Sequence, residues 1–331
     1  MSATSQQRPE LRFPPVENGL DYLVDVTNRL ATEPGVDPTP RDLKYAVRSL
    51  QDATETLLKA RLQHEHWALV VAKPDGATRA AFAKGDFLSC TLTEAMGRLQ
   101  KIAAVKLPPK GVAAVKRLAR DRNALAHWGL TANAAAIEAR AAAVLDFLLV
   151  FLDAELLPGL DAAETAVAEA TMNVVRSQLR GINAYVDKRT NDIRPGLAPL
   201  TAVTVECPEC AQPTLVAGDG QPACRFCLLA WLDPAGAALD YAWIVRGQTP
   251  DDRIEGLLPV QVCPTCEEEA LVLEAATVAA APDTVRLCLG CGTDHTDTEL
   301  HACEGGCGLL LPADFASSVC DNCTTAAWEG F

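Results

Sequence analysis

Twelve of the thirteen cysteines of this chain fall into six close pairs, all of them beyond residue 206. Two or three residues separate the members of each pair, a spacing at which a short turn presents two thiolates to one small divalent ion. The pairs are Cys207/Cys210, Cys224/Cys227, Cys263/Cys266, Cys288/Cys291, Cys303/Cys307 and Cys320/Cys323. Because two pairs complete a tetrahedral site of four thiolates, the six pairs predict three Zn²⁺ ions.

The order of the pairs favours three tandem sites. If consecutive pairs combine, 13, 21 and 12 residues lie between the two turns of each site, and each gap is long enough for a β-hairpin. The strand-like residues before the Gly-Asp-Gly turn at 218–220 are typical of a zinc ribbon. Interleaved pairing stays open for the last four pairs, since only 11 residues separate Cys291 from Cys303. Four cysteines per site leave no open coordination position, which predicts structural ions and makes His295 and His301 surplus loop histidines.

A disulfide framework is the alternative use of so many cysteines. The N-terminal sequence has no basic segment leading into an apolar one, and no apolar run of about 18 residues occurs, so neither a secretory signal nor a membrane span is predicted. We therefore expect a cytoplasmic protein whose thiols stay reduced and bind metal. Cys90 stands alone and is expected to be a small buried hydrophobic residue.

A second constellation lies in the first half of the chain, where one predicted helix carries Arg122, Asn123 and His127. Asn123 and His127 are four residues apart and share a face, whereas Arg122 lies about 140° from His127 around the helix axis. An imidazole can move the proton of a ribose 2′-OH or of a leaving oxygen. A guanidinium can hold phosphate oxygens as negative charge develops, and Asn123 would orient His127 or donate to the phosphate. These groups suit metal-free cleavage of RNA.

The spacing alone is not specific, because Arg61 and His66 form a second copy of it. The surroundings favour the Arg122 copy: six basic residues and one acid lie within 106–122, a positive strip expected for a phosphate ligand. A solvated helix face is the alternative explanation of these charges. We predict that three residues of the strip bind substrate, namely Lys116, Arg117 and Arg120.

The elements that must position these residues differ between the two halves of the chain. Residues 1–200 are rich in Ala and Leu and predict an antiparallel helical bundle. Proline pairs and capping residues predict helices over 16–32, from Pro40, from Thr91, over 109–127, from Thr131, and from Asp161 to about Lys188, with 72–90 as a loop. Small β-rich modules follow: zinc ribbon 1 at 201–235, a linker and zinc ribbon 2 at 236–295, and zinc ribbon 3 at 296–331. The predicted fold class is therefore mainly α.

Charge separates the halves as sharply as composition does. Residues 1–200 hold 25 Lys and Arg against 23 Asp and Glu, whereas 201–331 hold 4 against 20. Each zinc site, with four thiolates around one dication, would add further negative charge to the second half. So few basic residues would mostly repel a polyanion, which disfavours direct contact of this half with nucleic acid and a role as a DNA-binding factor. It is expected to meet a protein partner instead.

Three segments of the first half resemble the HEPN superfamily of helical nucleotide-binding domains, many of which are ribonucleases. They are LKYAVRSLQDATETLLKARLQHEHW at 43–67, GDF at 85–87 and RNALAH at 122–127, within a resemblance that covers about residues 40–160. The family signature is Arg and then His after about four to six residues, often with a polar residue after the Arg. Arg122, Asn123 and His127 match it. The resemblance implies a homodimer whose two motif helices form one composite site, metal independence, and products that end in a 2′,3′-cyclic phosphate.

Together these features predict a metal-independent endoribonuclease of HEPN type. RNA would bind the helical domain, and the acidic zinc ribbons would dock a protein partner or restrain the nuclease by competing with RNA. Many members of the family serve bacterial defence or toxin–antitoxin systems, and others have lost activity. The alternative is a non-catalytic dimeric adaptor whose zinc ribbons bind protein partners.

Overall fold

The computed structural model describes residues 11–33, 35–249, 251–254, 257–305, 309–313, 317–321 and 323–325. The chain divides into two units, Met1–Lys188 and Arg189–Phe331. This division lies earlier than the expected one at residue 200. The reason is that Arg189 is buried and donates hydrogen bonds to the carbonyl oxygens of Arg225 (2.6 Å) and Phe226 (3.3 Å), so it packs with the first cysteine cluster.

The first unit is helical. Its helices are α1 (Pro15–Leu30), α2 (Pro40–Glu65), α3 (Arg79–Lys84), α4 (Leu92–Lys101), α5 (Pro109–His127), α6 (Ala134–Phe151) and α7 (Ala162–Gln178), while α8 (Asn183–Leu197) contains the division between the units. The predicted mainly α character is confirmed.

Helix α2 is the centre of this unit and packs against α1, α4, α5 and α6. Its apolar residues recur at helical spacing, and Leu43, Val47, Leu50, Leu57 and Leu58 are all buried. Thr39 caps its first turn by accepting a hydrogen bond from the backbone N–H of Asp42, and Pro40 stands at the first helical position, where no donor is lost. The burial of this apolar stripe therefore determines which side of α2 faces the core and which side faces solvent.

Helix α5 packs against α6 at its start and against α2 near its end. Gly111 lies so close to Phe147 that a Cβ at this position would be 2.3 Å from the ring, so only glycine allows the two helices to approach. Within its 19 residues the buried ones are Val115, Leu118 and Ala124. Gly129 has a φ of +91° and its N–H bonds to the carbonyl of Ala124 at 2.7 Å, which ends the helix.

Three helix predictions need correction. The helix expected from Thr131 begins at Ala134, because Asn133 supplies the cap. The helix expected from Asp161 to about Lys188 is broken after Gln178 by a short 3₁₀ turn, and α8 starts at Asn183. Gly181 in this break packs against Ala31, a tertiary contact that helical periodicity does not reveal. The expected loop at 72–90 contains α3, which Thr78 caps.

The second unit is built from short antiparallel strands. One sheet has the order β1 (Thr204–Val205), β2 (Leu215–Val216), β3 (Ala223–Cys224), a second has β4 (Val260–Gln261), β5 (Leu271–Ala275), β6 (Val285–Cys288), and a hairpin has β7 (Leu300–Ala302) and β8 (Leu310–Pro312). The short helix α9 (Pro234–Asp240) lies between the first two sheets in the chain.

The first two sheets repeat one another along the sequence. Thr204 pairs with Val216 in the first, and Val260 pairs with Val272 in the second, so equivalent residues of the first two strands are 56 positions apart. In the third strands the equivalent residues Cys224 and Cys288 are 64 positions apart, because the second module has a longer hairpin. Backbone hydrogen bonds join the two modules, from Gly218 N–H to the carbonyl of Leu289 (3.1 Å) and from Gly220 N–H to that of Gly290 (2.9 Å). The modules therefore form a continuous body. Within the described residues, no helix combines the length and apolarity needed to cross a membrane.

Candidate functional site

The four cysteine pairs of the first two modules adopt one common turn. In each, the residue after the second cysteine has a positive φ and donates its N–H to the carbonyl oxygen of the first cysteine at 2.9–3.0 Å. Those four residues are Ala211 (φ +54°), Leu228 (+65°), Glu267 (+63°) and Gly292 (+76°). We call this arrangement the cysteine turn. It places both sulfur atoms of a pair on the same side of the backbone.

Two cysteine turns meet in each of the first two modules, in the tandem order. Cys207, Cys210, Cys224 and Cys227 have their sulfur atoms within 4.8 Å of one another, and so do Cys263, Cys266, Cys288 and Cys291. Sulfur–sulfur distances across the first cluster are 3.9 Å (Cys207–Cys227) and 3.7 Å (Cys210–Cys224), and across the second 3.8 Å (Cys263–Cys291) and 3.6 Å (Cys266–Cys288).

These distances fit a metal site and not a disulfide. Sulfur atoms bonded to each other lie about 2.05 Å apart, far closer than the pairs observed here. Four sulfur atoms at roughly 2.3 Å from a tetrahedral Zn²⁺ would lie about 3.8 Å from each other. The clusters of the first two modules are therefore already shaped for a tetrahedral ion.

A third group contains Cys303, Cys320 and Cys323, again with sulfur atoms within 4.8 Å of one another. The predicted fourth ligand, Cys307, lies outside the described residues. Cys303 follows β7, and its sulfur accepts a hydrogen bond from the N–H of Cys320 at 3.2 Å. Gly305 passes so close to Cys323 that a Cβ there would be 2.6 Å from the cysteine Cβ.

Polar neighbours surround the sulfur atoms of the first two clusters. The Thr214 hydroxyl is 3.2 Å from the sulfur of Cys224, and Nε2 of His295 is 3.5 Å from that of Cys263. A hydrogen bond from the Cys288 thiol lowers the pKa of Cys263 far below that of a free thiol, with burial opposing this shift and His295 assisting it. The loop residue His295 is thus buried against the sulfur of Cys263, whereas His301 pairs with Leu311 in the β7–β8 hairpin.

The predicted catalytic residues lie in the last two turns of α5. Asn123 and His127 are exposed, and Arg122 is half-exposed. One guanidinium nitrogen of Arg122 is 3.4 Å from the side-chain oxygen of Asn123, and the other is 3.9 Å from a carboxylate oxygen of Asp52 on α2. The His127 ring stacks on Trp128, with ring centroids 6.1 Å apart.

A cavity of about 440 Å³ brings residues of α2 and α5 together. Its lining is Lys44, Tyr45, Arg48, Arg122, Leu125, Ala126 and His127. Arg122 and His127 therefore share a cavity despite their wide angular separation, since His127 stands at the helix end. Asn123 is beside it through its contact with Arg122. Burial raises the pKa of the nearby Asp52 carboxyl, although Arg122 and Arg48 act to lower it.

The predicted substrate-binding residues Lys116, Arg117 and Arg120 are exposed on α5 and do not line this cavity. The basic residues that do line it from α2 are Lys44 and Arg48, which sequence reasoning missed. Their four-residue spacing was the available signal, because it puts both on one helix face.

Arg61 and His66, which repeat the spacing of the Arg122–His127 motif, are engaged in local contacts. Arg61 pairs with Glu65 at 2.7 Å, and Nδ1 of His66 accepts the N–H of Ala68 at 3.3 Å. The His66 ring also packs on Trp67, at 5.4 Å between centroids. Both residues thus serve the end of α2.

Comparison of the chain with protein-family models, with curated proteins and with solved structures gives no match. The geometry of the cysteine clusters and of the cavity is therefore the basis for any assignment of function.

Proposed function

We propose that this protein is a metal-independent endoribonuclease of HEPN type whose reaction takes place in the α2–α5 cavity. The observation that carries this proposal is that Arg122 and His127 line the same cavity as Lys44 and Arg48. An imidazole surrounded by fixed cations suits a phosphodiester, which brings negative charge and needs a proton moved.

In this reaction the ribose 2′-oxygen attacks the adjacent phosphorus, and the bond from phosphorus to the 5′-oxygen of the next nucleotide breaks. The products are a 2′,3′-cyclic phosphate and a free 5′-hydroxyl. His127 takes the 2′-OH proton or supplies one to the leaving oxygen, and Arg122 holds the non-bridging oxygens as charge builds. Asn123, at 3.4 Å from the Arg122 side chain, keeps the guanidinium directed towards the phosphate. Lys116, Arg117 and Arg120 extend a positive surface along α5 for the RNA backbone.

A homodimer would supply both proton-transfer groups of such a reaction. Because Asn123, Ala126 and His127 are exposed near the end of α5 and Trp128 is 76 % exposed, this end is available to a second copy of the chain. Two His127 side chains, one from each subunit, would then act as acid and base on one phosphodiester.

The three cysteine groups are proposed to hold three structural Zn²⁺ ions in zinc-ribbon modules. Residues Cys207, Cys210, Cys224 and Cys227 would bind the first ion, Cys263, Cys266, Cys288 and Cys291 the second, and Cys303, Cys307, Cys320 and Cys323 the third. Thiolates fill every position of such a site, so the ions would fold the modules without taking part in the reaction. Their acidic surface would dock a partner or compete with RNA.

The test is the chemistry of the cut ends. Purified protein is incubated with a labelled RNA for a short time in EDTA, which removes free divalent ions before structural zinc is lost. We expect fragments that end in a 2′,3′-cyclic phosphate. Fragments with a 3′-hydroxyl, or cleavage that stops in EDTA, would contradict the proposed reaction.

A second candidate is a non-catalytic adaptor, and one observation favours it. Apolar side chains on either side of α9 are exposed: Leu232 by 89 %, Trp243 by 67 % and Ile244 by 61 %. Exposed apolar groups in an acidic surface are common where proteins bind one another. If the wild-type protein leaves every RNA intact while retaining its metal, this candidate replaces the nuclease.

A further inference from the structure

The α2 side of the cavity carries two basic residues whose role the nuclease proposal leaves open. Lys44 and Arg48 are four residues apart, and both are exposed on the face that α2 turns towards the end of α5. They line the cavity together with Arg122 and His127. A phosphate held in this cavity beside His127 would therefore lie close to both cations.

Lys44 and Arg48 differ in their ion pairing from two other basic residues of α2. Lys59 and Arg61, on the same helix, are paired at 2.5 Å and 2.7 Å with Glu55 and Glu65. Neither Lys44 nor Arg48 forms an ion pair with any carboxylate that the structure describes. Arg48 acts electrostatically on the Asp52 carboxyl without forming an ion pair with it. Neither cation is therefore held in a close ion pair, and both can contact a ligand.

The charge balance of the cavity points to an anion. Three permanent cations line it, and Asp52 is the acid beside Arg122. A concave surface concentrates such a field and attracts counter-ions more strongly than a flat one. Beyond the cavity, Arg29, Arg41 and Lys44 surround the Tyr45 ring at 5.1–5.5 Å, and Arg29 is also paired with Asp25 (2.8 Å) and Asp42 (4.0 Å). Cation–π contacts of this kind hold the charged groups in place.

We infer that Lys44 and Arg48 bind a phosphate of the RNA backbone inside the α2–α5 cavity, next to Arg122 and His127. The identity of the ligand as RNA rests on the proposed function, whereas the binding itself can be measured without cleavage. Lys116, Arg117 and Arg120 lie on α5 outside the cavity lining, so they contact more distant phosphates. Helix α2 would therefore bind the phosphate that lies next to His127.

The experiment measures binding of a fluorescein-labelled single-stranded RNA whose ribose 2′-oxygens are all methylated. Such an RNA cannot be cut by attack of its own 2′-OH, so anisotropy reports affinity alone. The variant is Lys44→Gln/Arg48→Gln, and both positions are exposed on a helix that tolerates glutamine. The matched control is Lys84→Gln/Lys101→Gln, which removes the same two charges from exposed helix ends outside the cavity.

We expect Kd to rise at least about ten-fold in the Lys44/Arg48 variant and less than about two-fold in the control. The slope of log K against log salt should also fall by about 1.4 in the variant, because each lost contact to single-stranded nucleic acid removes about 0.7. Equal effects of the two variants, an unchanged slope, or no binding by the wild type would overturn the inference. If binding depends on Lys44 and Arg48 but unmodified RNA stays intact, the inference holds and the nuclease proposal fails.

Discussion

The carboxylate of Asp52 on α2 lies 3.9 Å from the guanidinium of Arg122 on α5. Arg122 thus has an acidic neighbour at the cavity where we propose that it binds a phosphate. Burial raises the pKa of Asp52, because the ionised carboxylate is less well solvated in the folded protein than in water. An incoming phosphate has to compete with it for Arg122.

Replacing Asp52 with asparagine should therefore tighten RNA binding, by about two- to five-fold in an anisotropy titration at low salt. The variant should not lose stability. An acid whose pKa is raised in the folded state is destabilising when it is ionised at neutral pH, and asparagine removes that charge. Asp75→Asn, at an exposed position, is the control for charge alone. Weaker binding by Asp52→Asn would show that the carboxylate positions Arg122 instead of competing for it.

The basic residues outside the cavity should act on affinity and not on the chemical step. Lys116→Gln/Arg120→Gln is expected to raise KM by about three- to ten-fold with kcat unchanged, because both side chains are exposed and would touch only distant phosphates. Steady-state cleavage assays measure both constants. A fall in kcat with KM unchanged would place these residues at the reacting atoms, in conflict with the geometry of the cavity.

Metal content should follow the cysteine groups. Elemental analysis is expected to find three zinc ions per chain, and two in Cys207→Ser/Cys210→Ser, because this variant loses half of one ligand set. Circular dichroism should still report the helices of the first unit, whose buried core does not include a cysteine cluster. Cys90→Ala is the control and should keep all three ions. Three ions in the Cys207/Cys210 variant would contradict the assigned ligands.

The cysteine turns give a prediction on backbone strain. Glu267 is exposed and has a φ of +63°, a conformation that costs a non-glycine residue about 1–2 kcal/mol. Glycine removes this backbone strain, but it also gives the unfolded chain more conformational freedom, which offsets part of the gain. Glu267→Gly should therefore be about as stable as the wild type or more stable by up to about 1 kcal/mol. Glu269→Gly, two residues away and also exposed, should be less stable by about 0.4–1 kcal/mol, because glycine increases the conformational freedom of the unfolded chain. Thermal unfolding of the metal-loaded protein compares them, and the reverse order would show that Glu267 is not strained.

The helix starts and ends were predictable where local chemistry fixes them. Thr91 and Glu94 form the capping box that their spacing predicts, and α5 runs from Pro109 to His127 as expected. The break between α7 and α8 was not predictable, because it depends on Gly181 packing against Ala31, far away in the sequence. Capping residues and periodicity predict single helices, whereas this break is associated with a contact between residues distant in the sequence.

The candidate sites, like the helices, could be predicted only where local sequence determines them. The spacing of the cysteines suffices to group those of the first two modules, since each turn is local and the two turns of a site are close in sequence. The repetition of the first module in the second was visible in the 56-residue offset of their first cysteine pairs, but it was missed. Lys44 and Arg48 could not be placed near His127 from the sequence, because only the packing of α2 on α5 brings them together.

Single-turnover cleavage of RNA in EDTA by paired variants tests the central claim most directly. The chain provides its own control, since Arg61 and His66 repeat the spacing of the proposed catalytic pair but are engaged in local contacts. We predict that Arg122→Gln and His127→Gln each lower the rate by about 10²–10⁴-fold with unchanged melting temperature and metal content, whereas Arg61→Gln/His66→Gln stays within about three-fold of the wild type. Equal rates for the two sets of variants would contradict a reaction site in the α2–α5 cavity.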